Sequence, residues 1–477
     1  MSNGSSSCEA PSSALLAAHA RAPRSRGQQR LVNKLRRTSA DDVRASLWFW
    51  PSVGASSALV IALLLSSVRP GPDSRWARWL WPAGLEAAST LLQVVATAIM
   101  TATTLTFSLT VVALQLASQQ FSPRLLREFA RDRATQVALA VLVSTFVVAI
   151  TGLRALDPDK PVPVALVGLV FVLGLVSAGA LLAFVGHIVR ALRVDTMMVS
   201  VHREAASTID QTYPCYGDTS KSPRPGHPSE GTGSLLLFPR SGFVRVVDPG
   251  RIALAAAHHR IFLRLGVRPG DVVVTGSPLA EAWHDDGAEV AADVIAEDVL
   301  EGVELGFERT VEQDAALGLR QLTDIAVKAI SPGINDPVTA AHAVGYCADL
   351  LVRLQGRQLG EQEHPAPDGA VRVVTPDRDH RYYLDLVCAP VRRYGREEPL
   401  VLTALLRLLR DCAVHASDDD QRFEIARQAS LVVGEISGQM LADDADAVPD
   451  LARRVDLVLT GDVAAAFRDR AGETRSI

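Results

Sequence analysis

The stretch AASTLLQVVATAIMTATTLTFSLTVVALQLASQQFSP, residues 87–123, decides the fold because it contains no formally charged residue. A membrane-spanning helix needs about 20 predominantly apolar residues. As one helix this stretch would be about 55 Å long, whereas the hydrocarbon core of a bilayer is about 30 Å thick. We therefore expect a transmembrane helix that either breaks or extends beyond the membrane on its cytoplasmic side.

Three further stretches without formal charge surround it, at residues 45–68, 134–153 and 161–189. The chain has 477 residues, of which 48% are hydrophobic, and a positive mean hydropathy of +0.17. These features predict a membrane domain of four transmembrane helices over residues 45–200, with the lipid bilayer as its partner. The net charge of −5 gives no reason to expect a nucleic-acid partner.

The distribution of Arg and Lys predicts the orientation of these spans. Residues 1–44, the loop at 124–133 and the segment after the fourth span together carry 15 basic residues, and the opposite side carries five. Because basic residues collect on the cytoplasmic side, both termini are expected in the cytoplasm and the protein in the cell membrane. The basic segment 1–44 is expected to be disordered.

One side of the second span is polar. Advancing about 100° per residue, the side chains that fall within one sector of about 80° include Gln93, Thr97, Thr101, Thr104, Ser108 and Gln115, with Glu86 at the outer end. Polar groups that face lipid are costly. This face is therefore either the lining of a pathway for an ion or small solute, or a surface for helix packing. The first alternative implies a homo-oligomer, because four helices enclose little water alone.

The rest of the chain predicts a cytoplasmic α+β domain. Residues 201–232 indicate a connecting helix and a linker rich in Pro, Gly and Ser, and residues 233–284 a small β-rich unit. Residues 285–440 have a mostly helical pattern, and residues 441–477 are interpreted as a polar tail. The predicted fold class is a four-helix α-helical membrane domain followed by this α+β domain.

The most informative cytoplasmic stretch is ERTVEQDAALGLRQLTDIAVKAISPGINDPVTA, residues 308–340. Thr310 with Gln313 resembles a capping box. At the loop that follows the helix, Gly333 suits a left-handed turn, Asp336 an N-cap and Pro337 the first position of the next helix.

The same stretch supplies candidate residues for a structural lock or a ligand-binding loop. Under the first interpretation Arg309 or Arg320 bonds to the loop and fixes it. Under the second, the helix N-terminus holds a small anionic ligand. The candidates are Arg309, Asp314, Arg320, Asp324, Ser331, Asn335 and Asp336.

Motifs of catalysis and of cofactor binding are absent from the sequence. It contains no G-x-S-x-G, G-x-x-x-x-G-K-[ST], G-x-G-x-x-G or H-E-x-x-H pattern. Its five cysteines are far apart and form no C-x-x-C pair. We therefore expect no enzyme activity, no cofactor, no metal and no catalytic residue.

Four motifs, in this order, resemble one bacterial family of membrane proteins. They are SLWFWPS (46–52), TLTFSLTVVALQLASQQFSPRLL (104–126), GDVVVTGSPLA (270–280) and RTVEQDAALGLRQLTDIAVKAISPGINDPVTA (309–340). The family is known as "domain of unknown function 2254", and the resemblance extends over residues 44–440. It implies an integral membrane protein with a soluble C-terminal region, and it implies no activity.

Two functions from different classes remain open. The first is an oligomeric channel or transporter lined by the second span, with a cytoplasmic regulatory domain. The second is a membrane-anchored sensor or scaffold whose cytoplasmic domain binds an unknown small ligand, an ion or a protein.

Overall fold

The chain folds into two compact units. In the computed structural model the first comprises residues 1–112 and 127–188, and the second residues 113–126 and 189–477. The described residues are 48–68, 84–120, 132–191, 193–215, 233–285, 290, 292–436 and 446–468. The predicted basic segment 1–44 and residues 216–232 of the predicted linker lie outside them.

Within the described residues, four helices are long and apolar enough to cross a membrane. They are α1 (Phe49–Ser67), α2 (Leu85–Gln120), α3 (Arg133–Ala155) and α4 (Val164–Ala191). They coincide with the four uncharged stretches, which confirms the predicted helical membrane region. Helix α2 is unbroken over 36 residues and about 54 Å long, so its length exceeds the thickness of a bilayer core as expected.

Small and branched side chains build the core of the first unit. At Gly152 on α3, an added Cβ would lie 3.3 Å from the side chain of Leu92, so α2 and α3 approach closely there. A buried hydrogen bond of 2.8 Å between Thr145 Oγ1 and Ser177 Oγ joins α3 to α4. The core residues come from all four helices and are Ala58, Ala62, Leu92, Ala96, Val148, Ala149, Leu166 and Val170.

The described strands of the second unit form two sheets. The larger sheet has the order β1 (Ser234–Leu237), β5 (Pro278–His284), β3 (Ile261–Leu265), β8 (Val371–Thr375), β7 (Gln362–Pro365). The smaller has the order β4 (Val272–Val273), β2 (Gly242–Val247), β6 (Val303–Gly306). Strands β3 and β8 are parallel, with Leu263 opposite Val373. Helices α6 (Pro249–His259) and α7 (Ala292–Leu300) pack on one common core with these strands.

This topology corrects the predicted β-rich unit at 233–284. Strand β6 completes the smaller sheet, and β7 and β8 complete the larger one, from within the segment predicted as helical. Parallel strands require a long crossover connection, so the partner of β3 lies far along the sequence. A run as short and polar as QEHP in β7 gives no strand signal by itself.

The other described elements of the second unit are helices. Helix α5 (Val194–Thr212) follows α4 after residues 192 and 193. It packs on α8 (Ala315–Ala329) and α9 (Pro337–Gln355), where Gly318 makes room for Ala205. The others are α10 (His380–Tyr394), α11 (Pro399–Val414), α12 (Asp419–Gly434), α13 (Ala447–Leu459) and the short α14 (Val463–Ala466).

Helix α13 differs from the polar tail expected at 441–477. It buries Val448, Val455 and Val458 and packs on α11 and α12. Its Arg454 is also buried and donates to Asp450 at 3.0 Å. The apolar residues recur at helical spacing among Asp and Arg residues, and this spacing is easily missed when the segment is judged by composition.

Candidate functional site

From Glu86 to Gln115 the polar side of α2 is solvent-accessible in the single chain. The side of α2 that packs on other helices is a different one, with Ala88, Leu92, Ala96, Thr106 and Thr110 buried. The predicted pathway-lining residues therefore share one outward face. All six of them, Gln93, Thr97, Thr101, Thr104, Ser108 and Gln115, are exposed.

The hydroxyl and amide groups of this face differ in their hydrogen bonding. Thr101 Oγ1 donates to the Thr97 carbonyl at 3.0 Å, and Thr104 Oγ1 donates to the Met100 carbonyl at 3.0 Å. Such bonds to the preceding turn satisfy hydroxyl groups inside an apolar medium. The amides of Gln93 and Gln115 have no hydrogen-bond partner within the described part of the chain. These two groups require water or another molecule.

In the second unit one buried carboxylate lies between two arginines. Arg309 donates to Asp314 Oδ2 from Nε at 2.9 Å and from Nη2 at 2.5 Å, and Arg378 Nη1 lies 3.3 Å from Asp314 Oδ1. The side chains of Asp314 and Arg378 are 1% and 3% exposed. Burial favours a lower pKa for Arg378, but Asp314, Tyr383 and Tyr382 together outweigh it and the pKa is raised. Removal of one member would leave a buried charge unpaired.

This ion cluster replaces the capping box predicted at the start of α8. Asp314 is the N-cap residue but makes no side-chain capping bond, because its carboxylate is directed to the arginines. The amide oxygen of Gln313 accepts from the Val247 N–H at 2.9 Å, and Thr208 Oγ1 donates to the Val311 carbonyl at 2.8 Å. The RTVEQD motif therefore ties α8 to β2 and to α5.

The turn between β3 and β4 packs against the same cluster. Gly270 has φ +91°, and a Cβ added there would lie 2.2 Å from Asp314 Oδ2. The Pro269 carbonyl accepts from Arg378 Nη2 at 3.1 Å. Both the left-handed backbone and the close approach require glycine at this position.

Two tyrosines and a second carboxyl group lie beside the arginines. The hydroxyls of Tyr213 and Tyr383 are 2.7 Å apart, and both side chains are fully buried. Burial raises the pKa of Asp377, although its bonds to the Arg378 N–H and to Tyr213 act in the opposite direction. Burial also raises the pKa of both tyrosines. Both therefore stay protonated at neutral pH, and Asp377 gains a proton more readily than an exposed aspartate.

A cleft of about 310 Å³ opens next to this cluster. It is formed by the last turn of α5, the start of α6, the β3–β4 turn, the RTVEQD motif and the segment after β8. Its lining residues are Gln211, Thr212, Val247, Pro249, Val267, Arg268, Pro269, Glu312, Gln313, Thr375, Pro376 and Asp377. The cleft combines apolar walls with a few polar groups, as small-molecule sites do.

The loop between α8 and α9 is held by its own bonds. The Asn335 N–H donates to the Ser331 carbonyl at 2.9 Å, and the Asp336 N–H donates to the Ala329 carbonyl at 2.8 Å. Asp336 caps α9 by accepting from the Thr339 N–H at 3.0 Å. These bonds from Thr339 lower the pKa of Asp336. The predicted N-cap is confirmed, as is Pro337 at the first helical position.

Two details of that loop differ from prediction. The left-handed residue is Asn335, with φ 51°, and not Gly333. Arg309 bonds to Asp314 and not to the loop. Asp314 and the loop lie at opposite ends of α8, whose 15 residues separate them by about 22 Å. The sequence-based candidates therefore belong to two places, with Arg320 and Asp324 half-buried along the helix between them.

Metal ligands and reactive thiols do not form a site in the described residues. No group of three or more His, Cys, Asp or Glu there could hold a metal ion. Cys347, Cys388 and Cys412 are free and buried. Burial raises the pKa of each thiol, that of Cys388 to about 12, so these thiols stay protonated and unreactive.

Comparison with known proteins supplies the family. The model of a family described as "Predicted membrane protein (DUF2254)" matches residues 44–411. The chain belongs to this family. It is similar to the uncharacterized protein Mb1321c of Mycobacterium bovis and to the uncharacterized protein Rv1290c of Mycobacterium tuberculosis. Each is 34% identical over 417 residues, which cover 86% of this chain and 80% of the relative. No solved structure matches the chain.

In this DUF2254 protein the sequence indicated half of the buried cluster. Arg309 and Asp314 were candidates, and the structure brings them together. Arg378 and Asp377 were not, although the sequence TPDRD directly after a strand places two adjacent charges where the chain turns inward. Tyr213 follows α5 and carried no signal at all.

Proposed function

We propose that the protein is a subunit of a homo-oligomeric channel or transporter, whose pathway runs along the polar face of α2. The observation that carries this proposal is the exposure of that face. Exposed Gln93 and Gln115 have no hydrogen-bond partner among the described residues, and they lie within a helix apolar enough to span a bilayer.

The energetic argument concerns these two amides. Transfer of an amide from water to an apolar medium without a hydrogen bond costs roughly 2–7 kcal/mol. Gln93 and Gln115 are 22 residues, about 33 Å, apart along α2, so a bilayer core of about 30 Å cannot hold both at depth. The amide that lies within the core needs protein or water, and neither amide has a hydrogen bond within the described part of the chain. Copies of the chain arranged around an axis would cover the face and leave a wet passage at its centre.

The proposal also fixes an orientation. The excess of Arg and Lys on one side of the spans favours cytoplasmic termini. The second unit would then lie in the cytoplasm and regulate the pathway through α5, which follows α4 directly in the chain. We assign no chemical reaction to the protein, and its proposed partners are the bilayer and further copies of itself.

A second candidate function is a membrane-anchored sensor. The cleft beside the Asp314 cluster favours it, because its size and mixed lining suit a small ligand. Under this alternative the spans would serve as anchor and interface, and the polar face of α2 would be covered by another copy without a passage.

Solute flux into liposomes that contain the purified chain tests the first candidate. We expect the wild type to conduct under a voltage, under membrane tension or along an ion gradient. The variant Thr101→Leu/Thr104→Leu should lose or alter this flux, since it replaces two hydroxyls of the polar face with apolar groups. The matched control is Val94→Leu/Val112→Leu, which enlarges two exposed apolar residues of the same helix.

The outcomes separate the two candidates. Flux that is changed in the Thr101/Thr104 variant and kept in the Val94/Val112 variant supports the pathway. If the correctly inserted wild type conducts nothing under all three conditions, the pathway proposal is wrong and the sensor remains.

A further inference from the structure

We propose that the cleft beside the Asp314 cluster is a binding site for a small oxyanion, a phosphate or carboxylate group of a metabolite, with Arg268 as the group that binds it. This inference concerns the second unit alone. It holds whether the membrane unit conducts or only anchors the chain.

The first step of the argument is the state of Arg268. Its Nε is buried and has no hydrogen-bond partner among the described residues. Arg268 forms an ion pair with Asp271, in which Nε lies 3.5 Å from Asp271 Oδ1. This distance is beyond the usual range for a hydrogen bond. The guanidinium lies 5.7 Å from the centre of the Tyr382 ring. Arg268 is therefore held along the wall of the cleft by Asp271 and Tyr382. Its Nε makes no hydrogen bond among the described residues, and 29% of its side chain is exposed, so the guanidinium can be reached from the cleft.

The second step is the balance of charge at the floor. Arg309 and Arg378 share the single carboxylate of Asp314, and Arg378 Nε is a second buried nitrogen without a hydrogen bond to any described residue. Asp377 is the remaining acid of the floor, and burial works against its negative charge. The two arginines are balanced by two carboxylates when Asp377 is ionised and exceed them by one charge when Asp377 is protonated, which is the state that an anion in the cleft would favour.

The third step is the role of the other acid that lines the cleft. Glu312 has 60% of its side chain exposed, and its Oε1 lies 3.7 Å from Arg245 Nη2. It is thus a rim residue with a partner of its own, so it opposes an anion only weakly. Gln313, whose amide oxygen is occupied by the Val247 N–H, presents its NH₂ group as a further donor.

The shape of the guanidinium decides the ligand class. Arginine binds carboxylate and phosphate with two parallel hydrogen bonds, and such bonds are stronger than those between neutral groups. A volume of about 310 Å³ is at the small end of ligand pockets. The ligand is therefore a small metabolite and not a polymer.

Occupancy of the site can reach the membrane through α5. Gln211 and Thr212 in its last turn line the cleft, and the next residue, Tyr213, is fixed by Tyr383 and by a 3.0 Å bond from Arg357 to its carbonyl. A bound anion would contact the C-terminal end of α5, whose N-terminal end follows α4 after residues 192 and 193.

The test is calorimetric titration of the full chain in lipid nanodiscs at constant ionic strength. Inorganic phosphate and citrate are the probes, and sodium chloride is the blank. We expect one of the two oxyanions to bind, and Arg268→Gln to weaken this binding by at least about tenfold, since a charged bidentate pair is lost. The matched control is Arg264→Gln on β3, which removes the same charge from an exposed arginine paired with Glu361 and should bind as the wild type does.

Each result has a defined meaning. Binding of phosphate alone identifies a phosphate ester as the ligand class, and binding of citrate alone identifies a carboxylate. If neither probe binds, or if Arg264→Gln weakens binding as much as Arg268→Gln, the proposal is wrong. Should Arg268→Gln fail to fold, Arg268→Lys keeps the charge and loses the second hydrogen bond. We then expect weakened binding, and wild-type affinity in that variant would contradict the role of Arg268.

Discussion

Substitution of Gly270 by alanine tests whether the β3–β4 turn packs on the buried ion cluster. A residue other than glycine at φ +91° loses about 1–2 kcal/mol. The new Cβ would also lie 2.2 Å from Asp314 Oδ2, where ordinary contacts are 3.4–4 Å. The carboxylate must therefore move by about 1 Å away from its arginines, and disruption of a buried ion pair costs about 3–5 kcal/mol. Together we expect the free energy of unfolding to fall by about 4–7 kcal/mol.

Gly276 offers a matched control within the same sheet region. It also has a positive φ, +82°, but an added Cβ there has no atom within 4 Å. Gly276→Ala should therefore lower the free energy of unfolding only through the cost of the left-handed backbone, about 1–2 kcal/mol. The difference between the two variants isolates the contact with Asp314.

The thiols of the second unit provide the assay. Cys347, Cys388 and Cys412 are buried and should react with a maleimide only when this unit unfolds. Labelling of the detergent-solubilised chain at increasing urea, followed by mass spectrometry of the labelled peptides, gives the midpoint of unfolding. With a urea dependence of about 3 kcal/mol per molar, Gly270→Ala should unfold about 1 M earlier than Gly276→Ala. Equal midpoints for the two variants would refute the contact.

Four further outcomes are expected. Asp314→Asn should destabilise the second unit by about 3–5 kcal/mol in the same assay, because the buried Arg378 and the half-buried Arg309 lose their carboxylate. Asn335→Ala should lower the stability of the second unit by about 1 kcal/mol, because alanine tolerates the left-handed backbone at this position less well than asparagine does. Asn335→Gly should not lower it. Thr145→Val should lower the thermal stability of the membrane unit by about 1 kcal/mol, since Ser177 loses its partner, whereas Thr101→Val on the exposed face should not. For Asp377 the pKa is higher in the folded state, so its contribution to stability is present at low pH and is lost as pH rises through that folded pKa. Asp377→Asn should therefore flatten this part of the pH profile of the urea midpoint, and an unchanged slope would contradict the raised pKa.

Features that depend on short stretches of sequence were predictable. The four spans follow from uncharged runs that are long enough for a bilayer, and the start of α9 follows from Asp336 and Pro337, which act within one turn of the helix. Asn335 shows the limit of such reasoning. Glycine and asparagine both tolerate a left-handed backbone, and only the bonds from the loop to Ser331 and Ala329 decide which residue adopts it.

Features that depend on contacts between distant residues were not predictable from one sequence. Asp314 and Arg378 are separated by 63 intervening positions, and helices α7 to α9 all lie between β3 and β8 in the chain. A buried arginine such as Arg378 cannot be recognised from its residue type, because arginine is typical of protein surfaces. The sequence showed that the polar residues of α2 recur at helical spacing, but it did not show whether this face points toward the other helices or away from them. Only the packing of Leu92 and Ala96 turns the polar residues outward.

The two proposals together predict different effects of Arg268→Gln for a regulated pathway and for a membrane-anchored sensor. If the cleft regulates conduction, Arg268→Gln must change the dependence of flux on the added oxyanion and leave the flux without anion intact, because Arg268 lies in the second unit and outside the α2 face. If the cleft only senses a ligand, the protein conducts no flux. Arg268→Gln then abolishes binding of the oxyanion, and Thr101→Leu/Thr104→Leu leaves this binding unchanged. A change of basal flux in Arg268→Gln would fit neither arrangement. It would mean that the cleft supports the fold of α5 itself, through Tyr213 and Tyr383, and does not report a ligand.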